Sequence, residues 1–170
     1  MKSKSKSLDL IIKILAALLV ITIILKLFVI EFYKISGQSM TPAIKSGSTI
    51  AVSKISYGLV LPFSDKLLFN WSGPKKGDVV FYMYNDRMVI KRCAATAGDT
   101  LEYSYNSGYN LKVNGKTVSL TKNQYENLKN TTSVPENTIL ALGDNSEFSI
   151  DSRNYGFVPV NNILGRVLCR

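Results

Sequence analysis

One serine in this chain lies in a setting that could make it a nucleophile. Ser39 follows the small, flexible turn Ser36-Gly37-Gln38 and precedes Met40. Most serines in such turns are solvated or cap a helix. The chain contains no histidine, so imidazole cannot be the base and a Ser-His-Asp triad is excluded. The remaining route to an activated serine is a lysine that its surroundings keep neutral.

Lys91 is the candidate base. In an extended strand, Val89, Lys91 and Cys93 lie on one face, while Ile90 and Arg92 point to the other. Burial among apolar side chains disfavours the ammonium form, and a pKa about 2 below its usual value corresponds to about 3 kcal/mol. A neutral amine could take the serine proton and later return it to the leaving amine. The alternative is a lysine at a strand edge, in solvent.

A loop dense in short polar side chains, residues 143–153, could support this pair. Ser149 could hold the lysine amine in place by a hydrogen bond, while Asp151 and Arg153 could fix the loop geometry. The simpler interpretation is a well-capped turn with an Asp151–Arg153 ion pair.

Composition limits the other kinds of site. A chain of 170 residues is one domain, or one domain plus an anchor. With no histidine and only Cys93 and Cys169, the usual zinc ligands are lacking, and we predict no metal and no cofactor. Cys93 is predicted to pack as a small apolar residue. The net charge is +9, but no basic stripe with stacking aromatics is present, so a membrane surface rather than nucleic acid is the expected anionic partner.

The only long apolar run extends from Leu8 to Ile30 and predicts one transmembrane helix. A cleaved signal peptide is the alternative, but the run is long for that purpose and bulky residues follow it instead of a small-x-small site. Lysines 2, 4, 6 and 13 predict a cytoplasmic N-terminus. We therefore expect a single-pass protein of the cell membrane, with a cytoplasmic basic tail (1–7), an anchor (8–30) and an extracytoplasmic catalytic domain (31–170).

The part after the anchor predicts a mostly β domain, an antiparallel sheet or barrel-like fold. Asn114-Gly115 is the strongest hairpin signal. No amphipathic helix is predicted, and the polar residues 121–132 are expected to hold one irregular helical turn. Short strands are predicted at 49–52, 79–84, 88–95, 111–113, 116–118, 138–142, 157–160 and 163–168.

Residues 57–74 are predicted to be a loop-rich excursion that carries many apolar side chains. Such a segment could lie in the membrane interface, with Trp71 at headgroup depth. Packing against the core of the domain is the alternative.

Taken in order, these stretches resemble the bacterial type I signal peptidases, a family of Ser-Lys proteases. The likeness covers nearly the whole chain. It consists of the anchor, Ser39-Met40-x-Pro42, Gly77-Asp78-Val79-Val80-Phe81, Lys91-Arg92, Gly98-Asp99, Gly143-Asp144-Asn145, Ser149-x-Asp151-Ser152-Arg153, Gly156-x-Val158-Pro159 and Gly165-Arg166.

The resemblance implies a membrane-bound serine endopeptidase that removes signal peptides from exported preproteins. It implies that Ser39 is the nucleophile and Lys91 the general base, with support from Ser149, Asp151 and Arg153. The implied partners are preproteins with small-x-small cleavage sites, the lipid bilayer and, as a further candidate, the export translocon. Ile35 and Ile90 fall where the family lines its pocket for small residues.

The turn around the serine departs from part of the family. Some members carry a hydroxyl two residues before the nucleophile as an oxyanion donor, and this chain has Gly37 there. The backbone N–H of Ser39 would then be one donor. Ala95 and Ala97 also replace a glycine and a proline of the family pattern after the lysine. A non-catalytic, membrane-tethered β domain that binds export substrates or assists the assembly of a surface structure is the alternative. A self-cleaving DNA-binding repressor is excluded by the anchor.

Overall fold

The computed structural model describes residues 2–61, 67–106 and 108–169. Helix α1 (Lys2–Ile24) continues into a π-helical turn, Leu25–Val29. The segment Leu8–Val29 is long and apolar enough to cross a membrane, and none of its 18-residue apolar window is buried in the fold. The predicted anchor was 8–30. The helix ends at Val29, one residue before the predicted end, since Ile30 is the first residue of a strand.

Short strands make up most of the domain that follows. Along the described part of the chain they are β1 (Ile30–Lys34), β2 (Thr49–Ser53), β3 (Gly58–Val60), β4 (Leu67–Asn70), β5 (Val79–Tyr84), β6 (Arg87–Thr96), β7 (Leu101–Ser104), β8 (Asn110–Val113), β9 (Lys116–Ser119), β10 (Thr138–Leu142), β11 (Val158–Pro159) and β12 (Ile163–Cys169). Two short helices, α2 (Lys122–Leu128) and α3 (Ser152–Tyr155), lie among them. The expected mostly β, antiparallel fold with one N-terminal apolar helix is confirmed.

The described strands form three sheets. The largest has the order β1-β2-β12-β5-β6-β10-β11, and its neighbours pair antiparallel. The others are the β3-β4 hairpin and the three-stranded sheet β7-β8-β9. Asn114-Gly115 joins β8 to β9, and both residues have positive φ, as a tight hairpin requires.

The two faces of β5 and β6 bury different cores. Phe81 and Ile90 are register partners and pack in one apolar cluster. Val80 and Cys93 belong to a second cluster, on the opposite face, as strand alternation requires. Cys93 is a free, buried thiol, and burial raises its pKa to about 12, so its predicted role as a small apolar residue is confirmed.

Two segments differ from expectation. Residues 57–74 contain the β3-β4 hairpin, in which Tyr57 and Val60 are buried while Leu68, Phe69 and Trp71 are exposed. Packing against the core therefore holds for the buried side chains, while a membrane-interface role of the exposed ones stays a prediction; Pro62 and Phe63 lie outside the described residues. The expectation of one irregular turn in 121–132 was wrong, because a capping box between Thr121 and Gln124 starts the regular helix α2.

Candidate active site

The two predicted catalytic side chains meet. The Lys91 Nζ donates a hydrogen bond to the Ser39 Oγ across 2.8 Å, although 52 positions separate them in the chain. Lys91 lies in the middle of β6. Ser39 lies in the turn after β1, and the side chain of Met40, which is 1% exposed, fastens this turn to the core.

Lys91 is buried in a way that favours its neutral form. Its side chain shares a face with Val89 and Cys93, as predicted, and Val80 is its register partner on β5. The residue is 5% exposed. This burial lowers the pKa of Lys91; the Asp151 carboxylate opposes the shift, and the Arg153 guanidinium adds to it. Desolvation dominates because an ammonium loses more hydration free energy on burial than a neutral amine does.

The turn before the serine leaves room for an oxyanion. Gly37 has φ +106°, a left-handed conformation that a residue with a Cβ adopts only at a cost. Its N–H donates to the Ser46 Oγ at 3.3 Å. Among the described residues, no hydrogen bond uses the N–H of Ser39, so this group is free to bind a negatively charged oxygen.

A cleft of about 440 Å³ opens beside the pair, and both predicted pocket residues, Ile35 and Ile90, line it. The rings of Tyr33 and Phe81, which also line the cleft, stack with their centroids 4.6 Å apart. An apolar substrate side chain would find apolar contacts in this part of the cleft.

Two unpaired strand edges border this cleft. Among the described strands, β1 pairs with β2 alone. β6 pairs with β5 over residues 87–92, but β10 joins its other side only from Arg92 onward. The stretch 87–91 therefore keeps one open edge next to the serine. Such edges can accept an extended peptide as an additional strand.

Asp151 and Arg153 form a buried ion pair below the site. Two hydrogen bonds join them, Arg153 Nε to Asp151 Oδ1 at 2.8 Å and Arg153 Nη2 to Asp151 Oδ2 at 2.9 Å. Burial raises the pKa of Asp151, but the hydrogen bonds from Arg153, from the Gly143 N–H and from Ser149 outweigh it, and the net shift is downward. Arg153 also donates to the Ser146 carbonyl oxygen at 3.0 Å, so the pair closes the loop on itself.

Ser149 makes a different contact from the one expected. Its hydroxyl donates to Asp151 Oδ2 at 2.6 Å. Among the described residues it forms no hydrogen bond to Lys91; the amine bonds Ser39 instead. This bond uses the one proton of the hydroxyl, while the lone pairs of its oxygen remain able to accept. The structure therefore shows a Ser149–Asp151 hydrogen bond where a Ser149–Lys91 one was expected.

No metal-binding cluster is found in the part of the chain that the structure describes: His, Cys, Asp and Glu do not gather there in groups of three or more. The site is a hydroxyl, an amine and backbone amides. This set can perform acyl transfer by nucleophilic attack with general-base assistance.

Comparison with known proteins assigns the chain to a family. A family model described as signal peptidase, peptidase S26, matches residues 8–170. The chain belongs to the signal peptidase family. It is therefore a serine peptidase, a hydrolase of peptide bonds, and the resemblance to bacterial type I signal peptidases is confirmed.

Relatives of this signal peptidase match it over most of their length. Signal peptidase IB of Staphylococcus aureus is 31% identical over 185 residues, covering 98% of this chain and 90% of the relative. Signal peptidase I of Bacillus caldolyticus is 32% identical over 161 residues, covering 84% of this chain and 80% of the relative. A crystal structure of a signal peptidase I from Enterococcus faecalis has 28% identity and a TM-score of 0.40, covering 57% of this chain and 97% of that one.

Sequence reasoning missed the link between the serine and lysine segments of this signal peptidase. Arg92 donates to Asp144 through Nε at 2.7 Å and through Nη2 at 2.5 Å. The N–H of the next residue, Asn145, donates to the Ser39 carbonyl oxygen at 2.9 Å. The Gly143-Asp144-Asn145 turn stands out in the sequence, but nothing in the sequence indicates that Asp144 pairs with Arg92.

Gly143 lets this loop approach the serine closely. A Cβ at Gly143 would collide with the Ser149 side chain and would lie 2.6 Å from the Ser39 carbonyl oxygen. Any larger residue would push the two segments apart. The glycine is therefore required by the close packing around the site.

Proposed function

We propose that this signal peptidase is a membrane-anchored endopeptidase that cleaves signal peptides from exported preproteins with a Ser39–Lys91 dyad. The observation that carries the proposal is the 2.8 Å hydrogen bond from a buried lysine amine to a serine hydroxyl beside an apolar cleft. Burying a lysine without a carboxylate partner costs folding free energy. The presence of such a lysine next to a serine hydroxyl supports a role for its amine in the chemistry.

The proposed mechanism has two halves. The neutral amine of Lys91 takes the proton of Ser39 as Oγ attacks the carbonyl carbon of the scissile bond. The Ser39 N–H stabilises the oxyanion that forms. The ammonium then gives its proton to the leaving amine, and an acyl-enzyme remains. In the second half the amine takes a proton from water, which attacks the ester, and returns it to Oγ.

The substrate is proposed to bind as an extended strand between the open edges of β1 and β6. Backbone hydrogen bonds would supply affinity, and pockets for alternate side chains would supply specificity. Ile35 and Ile90 would limit the space for the side chains nearest the cleaved bond. This supports a preference for preproteins with small-x-small cleavage sites.

The proposed placement follows from the anchor. The basic tail (1–7) would remain in the cytoplasm, the helix (8–30) would span the cell membrane, and the domain (31–170) would be extracytoplasmic. Exposed apolar side chains of the β3-β4 hairpin, Leu61, Leu68, Phe69 and Trp71, are proposed to meet the lipid surface. The export translocon is proposed as a further partner, because preproteins emerge from it.

The decisive experiment uses the full-length protein in detergent with a preprotein that carries an Ala-x-Ala site. Wild type should release the mature protein, whereas Ser39→Ala and Lys91→Ala should each lower the rate by at least about a thousandfold. Lys116→Ala, at an exposed position on β9, is the control and should keep wild-type activity. A folded Lys91→Ala variant with normal turnover would remove Lys91 from the mechanism. Absence of cleavage by wild type would favour the non-catalytic alternative.

A further inference from the structure

We propose that Ser46 is a positioning residue, whose hydroxyl fixes the turn that presents the Ser39 N–H to the oxyanion. The inference rests on the proposed function and adds a residue that supports its transition state. The observation that carries it is the hydrogen bond from the Gly37 N–H to the Ser46 Oγ at 3.3 Å. Ser46 is not among the described residues that line the cleft, so it acts through the backbone of Gly37 and not on the substrate.

Backbone pairing brings Ser46 back against the turn. The Ile35 N–H donates to the Ser48 carbonyl oxygen at 2.8 Å, and the Gly47 N–H donates to the Ile35 carbonyl oxygen at 2.8 Å. These two bonds continue the antiparallel pairing of β1 with β2 beyond the end of both strands. The main chain on each side of the hydrogen bond between Gly37 and Ser46 is therefore fixed.

The direction of the Ser39 N–H depends on one peptide unit. This N–H and the Gln38 carbonyl belong to the same planar unit, and in a trans unit the two groups point in opposite directions. The Gln38 carbonyl oxygen accepts a hydrogen bond from the Thr41 N–H at 3.1 Å. That bond holds the carbonyl on one side and so directs the Ser39 N–H to the other. Any rotation of this unit would turn the oxyanion donor away.

Gly37 is the flexible point on the other side of this peptide unit. Its φ is +106°, and a Cβ there would meet nothing within 4 Å, so packing does not restrict it. Among the described residues, no other N–H of residues 36–38 forms a hydrogen bond, so the Ser46 hydroxyl is their one described partner. Without it, the unit that carries the Ser39 N–H would be held from its Thr41 side alone.

This tether affects the transition state more than the bound substrate. The carbonyl oxygen of a bound substrate is neutral, and its full negative charge develops only as the tetrahedral intermediate forms. A donor that is poorly aligned therefore costs most at that stage. Loss of the Ser46 hydroxyl should accordingly lower kcat and leave KM nearly unchanged.

The test compares Ser46→Ala with Ser46→Thr in the full-length enzyme in detergent, on the preprotein with the Ala-x-Ala site. We expect Ser46→Ala to lower kcat about three- to tenfold, because the oxyanion donor is loosened but not removed. Ser46→Thr keeps the hydroxyl on the same Cβ and should restore most of the wild-type kcat. Ser46 is exposed, so neither change disturbs the core. The control is Ser48→Ala, where the backbone carbonyl makes the contact to Ile35, and it should keep the wild-type kcat.

A peptide aldehyde that ends at the second alanine of the site gives a further readout. The Ser39 Oγ bonds to the aldehyde carbon, the hydroxyl proton passes to the Lys91 amine, and the carbonyl oxygen becomes the oxyanion of a hemiacetal. In Ser46→Ala the Ki of this aldehyde should rise by the same factor by which kcat/KM falls. The Ki of the corresponding peptide alcohol, which has no carbonyl oxygen, should not change.

Three outcomes would overturn the proposal. Wild-type kcat and wild-type aldehyde Ki in Ser46→Ala would remove the positioning role, with or without a lower melting temperature, while the proposed peptidase activity stands. A loss of kcat that Ser46→Thr shares would show that the hydroxyl is not the cause. If wild type cleaves no preprotein, the proposed function fails and the role of Ser46 fails with it.

Discussion

The Arg92–Asp144 ion pair joins the strand that carries Lys91 to the loop after β10, which in turn bonds the turn that contains Ser39. The two side chains form a bidentate ion pair, with separations of 2.7 and 2.5 Å, and Arg92 also donates to the Gly77 carbonyl oxygen at 2.8 Å. Lys91 precedes Arg92 directly, and Asn145, which follows Asp144, bonds the Ser39 carbonyl oxygen. The distance between the Ser39 hydroxyl and the Lys91 amine is therefore set partly by the Arg92–Asp144 ion pair.

Weakening this ion pair should lower activity without unfolding the protein. We expect Asp144→Asn to reduce kcat/KM about 10- to 100-fold, because a small displacement of the serine from the amine is costly for proton transfer. The loss should appear mainly in kcat. The matched control is Glu102→Gln, which removes an exposed ion pair with Lys112 and should change neither activity nor the melting temperature measurably. Wild-type kcat in Asp144→Asn would contradict the positioning role.

The rate should rise with pH along a limb that belongs to Lys91. Burial lowers the pKa of this lysine from its ordinary value of 10.5, and only the neutral amine can act as a base. We therefore expect log kcat/KM on a signal-peptide substrate to increase with pH and to level off below 10.5. A profile that is flat across the range, or a limb that persists in the residual activity of Lys91→Ala, would assign the base elsewhere.

The same lysine should make the fold more stable as the pH rises. Its folded pKa lies below its unfolded pKa, so between these two values the unfolded chain binds the extra proton, and the free energy of unfolding increases with pH. At neutral pH Lys91→Met should therefore be more stable than wild type, by about 1 kcal/mol or more. The gain should shrink toward pH 10.5, as measured by urea unfolding in detergent. An equal gain at every pH would contradict a charge-based cause.

Lys54 should matter most for substrates that are embedded in a membrane. Its Nζ donates to the Leu27 carbonyl oxygen at 3.0 Å and pairs with Glu31 at 3.3 Å, and its N–H donates to the Val29 carbonyl oxygen at 2.8 Å. These contacts tie the end of the apolar helix to the residue that follows β2.

We expect Lys54→Met to lower cleavage of a preprotein in liposomes about five- to tenfold, while a soluble peptide is cleaved almost as before, because the site remains intact but its height above the lipid changes. The control is Lys45→Met, at an exposed lysine. Equal losses on both substrates would indicate a general structural role instead.

Local patterns predicted the elements that carry the site better than the contacts between them. Lys91 could be placed in an apolar strand because its neighbours Val89 and Cys93 alternate with it, and Ser39 stood out because no histidine was available. The Arg92–Asp144 pair could not be foreseen, since 52 positions separate the two residues and nothing local specifies the partner of a charged side chain.

The boundary between the apolar helix and β1 could not be predicted from the sequence. β1 begins at Ile30, inside the apolar run, because a strand of bulky residues and the end of a membrane helix have the same composition there. The Ser149 hydroxyl had two acceptable partners on the basis of sequence. The structure shows that the hydroxyl donates to the Asp151 carboxylate at 2.6 Å.

The open edge of β6 at residues 87–91 has a consequence for inhibition. Within the part of the chain that the structure describes, residues 87–91 pair with a strand on one side only, and open edges of this kind can pair with another extended chain. A short peptidomimetic that forms main-chain hydrogen bonds to this edge could occupy it without being cleaved. Because most of its affinity would come from main-chain atoms, resistance by changing side chains would be hard to achieve.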